Sequence, residues 1–197
     1  MNICVFGSSS EQIDKIYLES AEHLGKKIAE KGYGLVFGAG KYGIMGASVR
    51  GAYGAGGHTI GVTPDFFIDM KVVYDKCSEL IVTDTMRERK GIMEDKADAF
   101  VICAGGMGTF EEFFEVLTLK QLRRHSKPIV IYNVNGYYDS MLSMLDNAVK
   151  ENFMTNACNR LYTVANTEEE VFDQIENYVP FSYDKYAFLK KDGEQNG

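Results

Sequence analysis

Two stretches concentrate the residue types that could do chemistry. Gly105-Gly106-Met107-Gly108-Thr109 runs into Phe110-Glu111-Glu112, and Met86-Arg87-Glu88-Arg89-Lys90 lies upstream of it. A glycine run opening a helix exposes backbone N–H groups, and a hydroxyl and cations beside it suit a phosphate-bearing ligand. Thr109 and Glu112 also have the spacing of a capping box, so plain helix capping is the competing expectation. Two adjacent carboxylates beside such a loop are more than a cap requires. Arg89 and Lys90 cannot both share one helical face with Arg87, so at least one of the three is expected in solvent.

A second glycine cluster, Gly38-x-Gly40-x-x-Gly43, matches the dinucleotide fingerprint and sits between a strand and a helix pattern. The acid that should hold the ribose hydroxyls is missing, because the next strand, His58–Val62, ends without Asp or Glu. Nicotinamide dinucleotide binding is therefore not expected. Gly43 and Gly46 fit a tight strand-to-helix turn, whereas Gly38 and Gly40 could touch a ligand. Pyridoxal phosphate chemistry is equally unsupported. It needs a Schiff-base lysine and a partner for the pyridine nitrogen, and neither Lys41 nor Lys90 comes with one.

These loops need elements to hold them. Short apolar runs at 3–6, 34–37, 58–62, 80–83, 99–103, 128–132 and 161–164 read as strands. Helical periodicity falls at 12–31, from the glycine cluster to about 55, and at 86–97, 110–124, 138–152 and 167–178. Apolar strands alternating with helices indicate an α/β fold: one doubly wound, Rossmann-like parallel sheet of about seven strands with helices on both faces. Ligands of such sheets bind beyond the carboxyl ends of the strands, where the glycine, hydroxyl and basic residues collect. Residues 1–180 form the expected domain, and 181–197 an expected frayed tail.

Composition narrows the function classes. The chain has 197 residues, 21 Lys+Arg against 28 Asp+Glu, and a net charge of −7. That balance argues against nucleic acid or an anionic membrane as partner, and no run approaches the ~18 apolar residues of a span. Cys4, Cys77, Cys103 and Cys158 are scattered, as are His23, His58 and His125. This spacing suggests free thiols in a reducing cytoplasm and no metal site. The N-terminus lacks a basic, cleavable leader, which points to the same compartment.

The two motifs together resemble the Lonely Guy (LOG) family. Ala104 to Glu112 is similar to its P-G-G-x-G-T-x-x-E motif and Met86 to Lys90 to its M-H-x-R-K motif. Ile3–Ser9, Gly40–Gly46 and Gly61–Pro64 match further landmarks in order, covering about residues 1–178. Members were long labelled lysine decarboxylases. The resemblance implies instead a phosphoribohydrolase cleaving the N-glycosidic bond of a nucleoside 5′-monophosphate, either a cytokinin nucleotide or AMP. It implies no cofactor, and a homodimer.

By motif position, Arg89 and Glu112 are the expected catalytic residues. The expected substrate-binding set is Ser8, Gly40, Gly43, Lys90, Gly105, Gly106, Met107, Gly108, Thr109 and Glu111. Ala104 stands where the motif has proline and Arg87 where it has histidine, and the second departure bears on substrate preference. A nucleotide-binding sensor without turnover is the alternative on this scaffold.

Overall fold

Strand residues such as Ile3–Phe6, Leu35–Phe37 and Phe100–Ile102 are apolar on both sides of the pleat, so each strand must be covered on two faces. The computed structural model describes residues 1–181 and shows how this is done. The strands are β1 (Asn2–Phe6), β2 (Gly34–Phe37), β3 (Thr59–Pro64), β4 (Glu79–Thr83), β5 (Ala99–Ile102), β6 (Ile129–Tyr132) and β7 (Thr163–Ala165). They form one sheet in the order β4-β3-β2-β1-β5-β6-β7, and every pairing is parallel. The helices are α1 (Lys15–Glu30), α2 (Gly43–Gly54), α3 (Asp65–Asp69), α4 (Met86–Lys96), α5 (Met107–Gln121), α6 (Asp139–Lys150) and α7 (Glu168–Glu176).

Alternate strand residues enter two separate cores. Ile3, Val5, Leu35, Phe37 and Val101 pack with Leu24 and Ile28 of α1, Ala47 of α2 and Phe172 of α7. Cys4, Phe6, Val36, Phe100 and Ile102 pack with Met93 of α4, Phe113 and Val116 of α5 and Leu145 of α6. Each fully buried side chain of this kind is worth roughly 1.5–3 kcal/mol. The strands and longer helices thus fall close to their expected positions.

Two differences matter for the site. The short helix α3 was not expected, since its five residues are too few to show a helical period. The chain after α3 returns beside the loop leaving β2: Lys41 N–H donates to Val72 O at 2.9 Å, and Tyr74 N–H to Ala39 O at 2.8 Å. The second difference is that α5 starts at Met107, three residues before its expected start, with Gly106 as N-cap and no side-chain capping bond. Thr109 therefore lies inside the first turn, and the capping-box reading of Thr109 and Glu112 does not hold. The same T-x-x-E spacing does cap α4, where Thr85 accepts from Glu88 N–H at 3.1 Å. It also caps α7, where Thr167 accepts from Glu170 N–H at 3.2 Å. The expected tail lies outside the described residues beyond Phe181.

Candidate active site

Strand order reverses between β1 and β5, and at such a point the loops leaving neighbouring strands diverge to leave a crevice. Here Ser8 N–H donates to Ala104 O at 3.1 Å, which ties the loop after β1 to the loop after β5. Ser8 O in turn accepts from Ile44 N–H at 2.8 Å, so the start of α2 is committed to the Ser8 loop. Gly43 has φ +59°, and a Cβ there would lie 2.5 Å from Ser8 O. It holds backbone against backbone and does not line the cavity.

The start of α5 is different. The N–H groups of its first turn precede any intrahelical acceptor, and Gly106, Met107, Gly108 and Thr109 line a cavity of about 590 Å³. Ser8 and Gly40 line it as well, as do Lys41, Arg89, Glu111 and Glu112. Gly105 stands behind the loop, where its carbonyl accepts from Tyr137 Oη–H at 2.7 Å. Tyr138 Oη–H donates to Cys103 O at 2.7 Å from the same turn after β6. The two tyrosines prop the β5–α5 loop from outside the cavity.

The cavity floor carries a buried ion pair. Arg89 of α4 and Glu112 of α5 are 5% and 9% exposed, and Arg89 Nη1 donates to Glu112 Oε1 at 3.2 Å. Arg89 Nε donates to Val62 O within β3, at 3.1 Å. Burial pushes the Glu112 carboxyl up to about 7, against the opposing pull of Arg89. A carboxylate poised near neutrality can take a proton, and a guanidinium that stays ionised can hold developing negative charge.

Of the other basic residues, Arg87 is exposed, so it is the member of the trio that faces solvent. Lys90 does not line the cavity. Its ammonium pairs with Glu111 and lies 2.6 Å from Glu115 Oε2, both on α5. Among the described residues no three His, Cys, Asp or Glu side chains gather as a metal site.

Some parts of the site carried little or no recognisable signal. The seat for Arg89 is one: a Cβ at Gly38 would lie 1.7 Å from Arg89 Nη2. Gly38 lines the cavity, as expected of a residue that could touch a ligand, but its missing side chain also makes room for the guanidinium, which the fingerprint does not signal. The Val62 carbonyl is backbone and has no sequence signal at all. Phe67, Met70, Val72 and Val73 form one wall, delivered by α3 and the return after it.

Fold and site together define a Rossmann-like protein with an open, uncapped helix start lining the same cavity as a buried Arg–Glu pair. The family model described as "Possible lysine decarboxylase" matches residues 45–175. The probable cytokinin riboside 5′-monophosphate phosphoribohydrolase LOGL5 of Oryza sativa subsp. japonica is 38% identical over 94% of this chain and 75% of its own. The cytokinin riboside 5′-monophosphate phosphoribohydrolase LOG2 of Arabidopsis thaliana is 36% identical over 90% of this chain and 84% of its own. Among solved structures, the molybdenum cofactor binding protein of Rippkaea orientalis superposes with a TM-score of 0.67 at 26% identity. That match covers 89% of this chain and 93% of that one. The chain belongs to the Lonely Guy (LOG) family.

Proposed function

We propose that the chain hydrolyses the N-glycosidic bond of a nucleoside 5′-monophosphate, AMP or a cytokinin riboside 5′-monophosphate, giving free base and ribose 5-phosphate. The observation that carries this reading is the buried Arg89–Glu112 pair beneath the open first turn of α5. The N–H groups of Gly106, Gly108 and Thr109, with the Thr109 hydroxyl, hold the phosphate at the positive end of the helix. This places the sugar over the cavity floor. As the C1′–N bond breaks, positive charge grows on the ribose, and the Glu112 carboxylate stabilises it. Glu112 then takes a proton from the attacking water, whose oxygen bonds to C1′. Arg89 stabilises the negative charge on the departing base, and the proton that Glu112 took from water passes to that base, which restores the carboxylate. Glu111, on the cavity wall, is placed to accept from the ribose hydroxyls.

Binding without turnover is the second reading, because solved structures of cofactor-binding proteins have this fold. A binding protein has no need for a carboxylate held near neutrality on an arginine. Incubation with AMP and its N6-isopentenyl analogue, followed by chromatography, separates the two readings. The expected outcome is base release by the wild type, reduced by about 10³-fold or more in Glu112→Ala and in Arg89→Ala. Thermal stabilisation by AMP with no base released would establish the binding protein instead.

A homodimer belongs to the same proposal and is tested by light scattering on the eluting peak. A cytoplasmic location belongs to the proposal too, supported by Cys4, Cys77 and Cys103, which are thiols outside any disulfide. No helix among the described residues is long and apolar enough to cross a membrane.

A further inference from the structure

Lys90 follows Arg89 in sequence, yet the two side chains have different surroundings. Consecutive helical residues diverge by about 100°. Arg89 meets Glu112 at the cavity floor, while Lys90 stays outside the cavity in the notch between Glu111 and Glu115, one helical turn apart on α5. The Lys90 side chain is only 14% exposed although it is a lysine near the surface. Two interhelical bridges are thus stacked between α4 and α5: an inner one whose two partners line the cavity, and an outer one in which Glu111 lines it and Lys90 does not.

We infer that Lys90 is a positioning residue: it fastens α4 to α5 so that Arg89 meets Glu112 in register, and it holds Glu111 against the cavity wall, without itself touching substrate. The inference rests on the hydrolase reading above and refines the site within it.

The charges around the notch show why a cation is needed there. Glu94, one turn beyond Lys90 on α4, faces the same region. Burial first, and Glu115 second, push its carboxyl up to about 7. Without the ammonium, Glu94 would confront Glu115 across the two helices, with Asp95 adding a like charge and Lys127 offsetting it. Like charges at such separations repel across the two helices that carry the inner pair. Burial pulls Lys90 down, but the hydrogen bonds to Glu111 and Glu115 outweigh it and hold the amine ionised. Glu112 is faced by Arg89 and Lys90 from α4, Glu111 on its own helix, Cys4 of β1 and Tyr138 after β6. Lys90 lowers its affinity for a proton and Glu111 raises it. Loss of the Lys90 charge therefore moves Glu112 upward.

The test compares wild type, Lys90→Met and Lys90→Arg in base release from AMP, at limiting and saturating nucleotide across the pH range. Lys90→Met is expected to lose about 10- to 100-fold in kcat with KM changed less than about threefold. Its acid limb should lie at higher pH than the wild type's, and Lys90→Arg should restore most of kcat. Calorimetry with ribose 5-phosphate is expected to give Kd values for Lys90→Met and wild type within about threefold. Weakened ribose 5-phosphate binding with kcat retained would make Lys90 a substrate ligand and overturn the inference. So would an unmoved pH profile. If the wild type releases no base, the hydrolase reading fails by itself. Carbon-13 NMR titration of the Glu112 carboxyl then decides on Lys90: an upward move in Lys90→Met, reversed in Lys90→Arg, upholds the clamp, and an unchanged titration removes it.

Discussion

Arg89 has little freedom because three neighbours fix it: the Val62 carbonyl, the Glu112 carboxylate and the bare Cα of Gly38. The third gives the most specific prediction. An alanine at position 38 meets the guanidinium at 1.7 Å, and the carbonyl and carboxylate leave Arg89 no equivalent place to go. Displacement of a catalytic group by about 1 Å costs on the order of 10²-fold in rate, so kcat of Gly38→Ala is expected to fall by that order. Gly91→Ala is the control. It lies on the same helix as Arg89, is exposed and outside the cavity, and its Cβ would meet nothing within 4 Å. Its kcat should stay within about threefold of wild type. Steady-state kinetics on both variants check this, and equal kcat values would show that Arg89 has another productive position.

Elements decide what a motif means, as the three T-x-x-E segments show. Thr85–Glu88 and Thr167–Glu170 cap α4 and α7, whereas Thr109–Glu112 has both side chains turned to the site because Gly106 starts α5 a turn earlier. From sequence the three are alike; only the glycines ahead of Thr109 mark the difference. The parallel sheet of about seven strands and most helices were legible because apolar runs and helical periods repeat almost from end to end. The α3 return was not, since its bonds to Ala39 and Lys41 are backbone contacts between distant residues. The props behind the β5–α5 loop were equally hidden, because nothing in the spacing of Tyr137 and Tyr138 ties their hydroxyls to the Gly105 and Cys103 carbonyls. Their roles separate by burial: Tyr138 is 1% exposed and Tyr137 41%. Tyr138→Phe leaves the Cys103 carbonyl without its buried donor and should cost about 1–3 kcal/mol, whereas Tyr137→Phe should cost about 0.5–1 kcal/mol, water replacing the lost bond. Urea unfolding of both variants measures this; an equal ranking would show that burial does not separate the two donors, and a reversed one that the Gly105 carbonyl's donor matters more.

At the scale of the whole molecule, a chain of net charge −7 holds two carboxyls, Glu94 and Glu112, with affinity for protons raised to about 7 by burial. Both bind protons more tightly folded than unfolded, where the ordinary value is 4.5. Their contribution to stability is therefore fully present below pH 4.5 and is lost as pH rises through about 7. Glu169 and Glu176, lowered by backbone and lysine contacts respectively, act in the opposite sense, but only below the ordinary carboxyl range. Lys120, which burial lowers to about 8, shifts stability only in alkaline solution. Between about pH 5 and 7.5 the two raised carboxyls outnumber His125, which burial lowers from its ordinary 6.5 and which adds stability as pH rises toward that value. Within this interval the melting temperature is expected to fall as pH rises. Glu94→Gln should flatten that fall and raise the melting temperature at the alkaline end, since an amide carries no charge toward Glu115. Removing Glu112 offers no such gain, because Arg89 would be left buried without its counter-ion. Melting curves of wild type and Glu94→Gln through this interval are the measurement. Parallel pH profiles would place the source elsewhere, whereas a flattened one would mean that the charges which hold α4 and α5 in register for Arg89 and Glu112 also lower the stability of the fold at neutral pH.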